Sequence, residues 1–274
     1  MYHHTNFMRY HLLNTLLPAI ISIQCSQMAI APGYATAGQI PPPAGFTRIN
    51  ADEDSYPQWL RQIKLKTDNT VYLYNGAAKR YQGAQYAVLD ISVDKKNLQQ
   101  CADAAIRLYA EYLYSRGQYN KISFNATDGT KMDYESWREG YRFVLNKTRL
   151  QKVKTTAVSD TRKSFDQYLE TVFSYAGTLS LSRELKKVHN LSRIKPGDMF
   201  VKGGSPGHAV IVMDVAVNPS GQKMFMLAQS YMPAQDIHIL KNPENNTAWY
   251  DLNFGDQLQT PEWVFAGNTL YSWE

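Results

Sequence analysis

The spacing of apolar positions changes along the chain, and each change marks an element. From Leu98, apolar residues recur at Ala102, Ala105, Ile106, Tyr109 and Leu113, which fall on one face of a helix over Leu98–Arg116. Asn97, with Gln100 three residues later, reads as the capping box that starts it, so Cys101 sits in the first turn, where the helix dipole favours a thiolate. A start at Asp94 would instead leave Cys101 two turns in. Phe165, Leu169, Val172 and Phe173 form a second stripe on a helix over Ser164–Tyr175, and shorter helices are predicted at Pro57–Ile63 and Asp133–Asn146. Strand-like runs lie near Val71–Tyr74, Tyr86–Val93 and Lys121–Asn125. Four more close the pattern at Met199–Val201, Ala209–Val217, Lys223–Tyr231 and Asp236–Leu240. Helices followed by an antiparallel sheet make an α+β fold.

Chemistry enters between the first and second of those last strands. Pro196-Gly197-Asp198 is a turn, Gly203 to Gly207 is a loop, and His208 opens an otherwise apolar strand. An imidazole at such a junction is held by the strand yet reachable from solvent, as a general base must be. If Asn218-Pro-Ser-Gly221 is a four-residue hairpin loop, Val217 pairs with Gln222 and Val210 lies opposite Gln229. Gln229 then shares His208's face and sits diagonal to it, which makes it the residue expected to orient the ring. A loop one residue longer would put Ser230 there instead. Asp214 has the right parity but is about 20 Å along the strand. His238 reads first as a solvated strand position and second as a residue facing the same cleft, His189 as an exposed residue in a last helical turn, and Asp103 with Arg107 first as a surface ion pair at i, i+4 and second as groups that bind substrate.

The stretch Ile194 to Met213, with Pro-Gly-Asp leading into Gly-His, resembles the NlpC and CHAP families of papain-like cysteine peptidases and amidases. The resemblance implies a nucleophile-bearing helix packed on an antiparallel sheet, Cys101 as nucleophile, His208 as base and Gln229 as third member. The region Asp133 to Val188 would be a helical insertion beside the cleft. Leu98-Gln-Gln-Cys-Ala-Asp-Ala, Tyr175-Ala-Gly-Thr-Leu-Ser-Leu, Pro206-Gly-His-Ala-Val-Ile-Val and Leu227-Ala-Gln-Ser-Tyr-Met-Pro-Ala-Gln are similar to segments of a family of exported Bacteroidetes proteins known only as a domain of unknown function. That second resemblance implies no activity.

The first residues concern address. Leu12 to Ile23 has the length of a signal-peptide apolar core, and residues 1–37 hold one Arg and no acid, so their removal takes the net charge only from +5 to +4. Cys25 looks like a lipoprotein attachment cysteine, although Gln24 stands where a small residue is usual; Ala35-Thr-Ala37 offers ordinary cleavage instead. Gln39 to Gly45 is proline-rich and reads as a tether. The expected organisation is a leader and tether over 1–37 and a single domain over 38–274, exported to the periplasm or anchored as a lipoprotein of a Gram-negative bacterium. The mature chain would carry Cys101 without a disulfide partner, which in an exported protein hints at reactivity.

A pI near 9 suits anionic wall polymers, while the absence of basic runs interleaved with aromatics argues against nucleic acid. Of 19 tyrosines, eight cluster between Tyr72 and Tyr119, as core or as stacking platforms. No Cys-x-x-Cys, His-Glu-x-x-His or P-loop pattern occurs, so no metal or cofactor is expected. Two functions remain: a cysteine hydrolase acting on peptidoglycan or another envelope peptide, and a non-catalytic lipoprotein that binds a wall peptide or glycan in the same cleft.

Overall fold

A computed structural model of the chain describes Met1 and residues 33–273, so the leader and Cys25 lie outside the described residues. The centre is a nine-stranded sheet whose pairings are all antiparallel. Its path runs Gln85–Val88, His238–Leu240, Lys223–Gln229, His208–Val217, Met199–Lys202, Leu270–Ser272 and Lys186–Lys187. Thr47–Arg48 joins alongside His208–Val217, and Trp249–Asp251 alongside Lys223–Gln229. Mixed α and β structure around an antiparallel sheet is the coarse architecture expected from the element order.

Both sides of the His208 strand are covered, which is why it reads as a continuous apolar run. Ala209, Ile211 and Met213 face the larger core, with the helix Cys101–Ser115, whereas Val210, Val212 and Val215 face a second core with Phe200, Phe225 and Phe265. Alanines at 102, 104, 105 and 110 bring the helix close to the sheet, and buried Ile106 and Leu108 each contribute about 1.5–3 kcal/mol through lost apolar exposure.

The hairpin register differs from the simple reading in two ways that cancel. Lys223 pairs with Val217, so the loop has five residues, 218–222, not four. A bulge then intervenes: Met226 pairs with Asp214 but Leu227 pairs with Val212, leaving Met213 extra. The ladder continues with Ala228 opposite Ile211, which places Gln229 across from Val210 as expected. Asp214, beside the bulge, is bound by Arg48 (Nε–Oδ2 2.6 Å) and Arg61 (Nη2–Oδ1 2.7 Å), far from the histidine.

Three expectations fail. The helix expected at Asp133–Asn146 is one short helix, Tyr134–Arg138, followed by the hairpin Tyr141–Asn146 with Arg149–Lys154. Gly140 is the reason: its φ is +95°, and a Cβ there would stand 2.1 Å from the Thr156 carbonyl oxygen. Val71–Tyr74 forms only isolated bridges, Tyr72 to Ala78 and Leu73 to Gln235. The Gln39–Gly45 stretch is not a free tether, since Ala37 and Ile40 are buried, Ala37 N donates to the Ile63 carbonyl, and the Pro41 carbonyl accepts from Trp249 Nε1.

Candidate active site

The helix begins at Cys101, the residue after the cap. Gln100, not Asn97, is that cap, and its main-chain N–H donates to Asp103 Oδ2 at 3.0 Å. Asn97 is used elsewhere, accepting from Ala234 N at 2.7 Å. The loop before the cysteine is further held by Ser230, whose hydroxyl lies 2.9 Å from the Gln99 carbonyl and 2.8 Å from that of Gln235. Ser230, the alternative orienting residue, thus faces away from the imidazole and positions the cysteine loop.

Across the sheet, His208 Nε2 and Gln229 Oε1 are 2.8 Å apart, both side chains buried. Gln229 Nε2 lies 2.7 Å from Glu262 Oε2, which also receives Lys79 Nζ at 2.5 Å. The protons follow from the chemistry. A carboxylate paired with Lys79 only accepts, so Gln229 turns its NH₂ to Glu262 and its carbonyl to His208. His208 must then carry its proton on Nε2, and Nδ1 is the unprotonated nitrogen, with no hydrogen-bond partner among the described residues. The second Gln229 N–H points to His238 Nε2 at 3.4 Å, while His238 Nδ1–H donates to the Asp236 carbonyl at 2.9 Å. His238 is fully buried in this network, not solvated.

Aromatic rings wall the imidazole, with Tyr231, Trp263 and Phe265 at centroid distances of 4.8, 5.2 and 5.8 Å. The close turn before it requires glycine: a Cβ on Gly207 would meet Gly204 O at 2.3 Å and Thr178 Oγ1 at 2.4 Å. Cys101 and His208 line one cavity of about 490 Å³, closed on a third side by Phe173 to Thr178 from the expected insertion. The sulfur faces the main-chain amides of Ala209, Ala102 and Cys101 itself, with no hydrogen bond between it and the imidazole.

The electrostatics correct the expectation of a thiolate. Burial pushes the Cys101 thiol up to about 11, with the nearby Asp103 carboxyl adding to the rise and the three amides opposing it. Burial likewise lowers His208 to about 4, against the opposing Gln229 hydrogen bond and with Lys79 adding to the fall. At neutral pH the resting pair is thiol and neutral imidazole.

Asp103 and Arg107 do not pair. Arg107 Nε binds Glu111 at 2.7 Å and Nη1 reaches Gln99, while Asp103 is buried and raised to about 8 by desolvation. His189 is exposed but lies in a loop after Lys186–Lys187, beyond the helix Thr178–Glu184. The tyrosines divide: Tyr109 stacks on Trp273 at 4.5 Å and Tyr114 on Phe165 at 4.2 Å, both packed against the main core.

Glu262, Trp263 and Lys79 have no counterpart in the sequence reading. Glu262 and Trp263 lie more than 50 residues after His208, and nothing in their spacing ties them to the histidine strand.

No curated protein and no solved structure matches the chain. A profile of one protein family matches residues 37–271, a span that holds the cysteine helix, the histidine strand and the Glu262 turn. The chain therefore belongs to the family described as domain of unknown function (4846).

Proposed function

We propose that the chain is an exported cysteine hydrolase that cleaves peptide or amide bonds of peptidoglycan or another cell-envelope peptide. The observation that carries this is the His208–Gln229 hydrogen bond, which leaves Nδ1 as the unprotonated, proton-accepting nitrogen of a residue that lines the same cavity as Cys101. A thiol at the start of a helix, a base at the start of a strand and an orienting amide on the neighbouring strand support a papain-like reading of the site.

In the reaction, the Cys101 thiol attacks the substrate carbonyl as His208 Nδ1 takes its proton. Main-chain N–H groups at the helix start stabilise the oxyanion, and His208 returns the proton to the leaving amine. Water, deprotonated by the same nitrogen, then releases the acyl group from sulfur. Gln229 keeps the ring in the reactive tautomer, and Glu262 keeps Gln229 from flipping. Export would use the leader, and membrane attachment would run through lipidation of Cys25.

A second reading, a non-catalytic envelope protein that binds a wall peptide or glycan in this cavity, is favoured by the thiol's rise to about 11. Digestion of purified muropeptides followed by mass spectrometry separates the two. New termini that form with wild type and vanish with both Cys101→Ala and His208→Ala support the hydrolase, whereas intact muropeptides support the binder.

A further inference from the structure

Asp103 stands two residues after Cys101, lines the same cavity and is only 5% exposed. One carboxyl oxygen serves the fold, accepting the Gln100 N–H, while Oδ1 is buried without any hydrogen-bond partner. Such an oxygen costs free energy that its fold does not recover, which is expected where a ligand completes the bonding. The cavity contains no compensating charge. In a chain with 29 Lys and Arg against 24 Asp and Glu, no Lys or Arg is among its lining residues. Its other titratable walls are Cys101, His208 and Tyr231, of which the first two are neutral at pH 7. Arg107, one helical turn on, is occupied by Glu111 and Gln99. Phe173 and Trp263 add ring faces that attract cations, whereas the Tyr231 ring already carries Lys79 Nζ at 5.8 Å, a lysine that is itself paired with Glu262.

We propose that Asp103 is a recognition group for a primary ammonium on the substrate, so that the cavity selects peptides with a free α-amine or an amine side chain close to the bond presented to Cys101. The location beside a nucleophile rests on the hydrolase reading, but the cation site itself does not. Desolvation holds the carboxyl up to about 8 in the free protein. An arriving ammonium would therefore displace a proton near pH 7, and binding should release protons.

The test uses the full chain carrying Cys101→Ala, so that no probe is consumed. Calorimetry compares alanyl-alaninamide, its N-acetyl form and Nα-acetyl-lysinamide in two buffers of different ionisation enthalpy. At least one amine probe should bind roughly tenfold to a hundredfold more tightly than the acetylated dipeptide, with proton release. Whichever amine probe binds tells an α-amine from a side-chain source. Asp103→Asn, which can still accept from Gln100 N–H, should abolish the preference, and Asp103→Glu should retain part of it. Equal affinity for acetylated and free probes, a preference that survives Asp103→Asn in folded protein, or binding by neither amine probe at millimolar concentration overturns the proposal. If wild type cleaves nothing while the amine preference holds, the hydrolase reading falls and the cation site stands.

Discussion

Replacing Gln229 by alanine should damage the fold as well as the site. The side chain is fully buried and serves three groups, accepting from His208 Nε2–H and donating to Glu262 and His238. Parity along the strand presents it only as a holder of one ring, which would make the substitution structurally mild. With the network in view, truncation leaves His208 Nε2–H and His238 Nε2 buried without partners, at about 1–3 kcal/mol each, while Glu262 keeps Lys79. Water entering the vacated space recovers part of this, so the expected loss is about 3 kcal/mol. Urea unfolding at pH 7 should show a midpoint lowered by on the order of 1 M with an unchanged slope. Any loss of turnover should add little in a Cys101→Ala background. A stability loss under about 0.5 kcal/mol would refute the reasoning, because it would mean that these polar atoms are already solvated in the native protein.

The thiol, at about 11, should be alkylated slowly by iodoacetamide at pH 7 and about tenfold faster for each pH unit up to 10; a plateau below pH 8.5 would show a preformed thiolate instead. His208 is held at about 4, below its unfolded value of about 6.5, so its stabilising contribution is complete above pH 6.5 and lost as pH falls through 4. Asp103 pulls the other way, so the measurement is a difference: the stability of wild type minus that of His208→Gln should shrink by about 3 kcal/mol between pH 6.5 and 4, and a constant difference would reject a buried neutral imidazole. If Cys25 is lipidated, the protein should partition with membranes and Cys25→Ala should release it; wild type found wholly in the soluble periplasmic fraction would reject the anchor.

Much of the site was legible because it rests on local periodicity. The stripe from Leu98 to Leu113 gave a helix with Cys101 in its first turn, and alternation along two strands gave Gln229 to His208. The latter succeeded through two errors, since the five-residue loop would have selected Ser230 had the bulge at Met213 not restored the parity. No sequence signal announces a bulge inside Ile211-Val-Met-Asp214. The Asn97 cap failed because Asn97 forms a bond to Ala234 that sequence neighbours cannot reveal. Gly140 was a readable stop that apolar periodicity overrode. The thiol's rise, the isolation of Asp103 and the role of Glu262 are consequences of burial and of distant chain segments meeting, which residue spacing does not encode.

The bulge beside Asp214 divides the central hairpin into two mechanically separate parts. To slide the ladder past that point, a buried carboxylate would have to leave both arginines, at a cost of about 3–5 kcal/mol. Insertions or deletions in the turn at residues 218–222 can therefore repack the distal ladder while the stretch from His208 to Val212 keeps its partners. Asp214, dismissed as too distant to touch the imidazole, acts in this way as a register stop that insulates the chemistry from length changes in the loop.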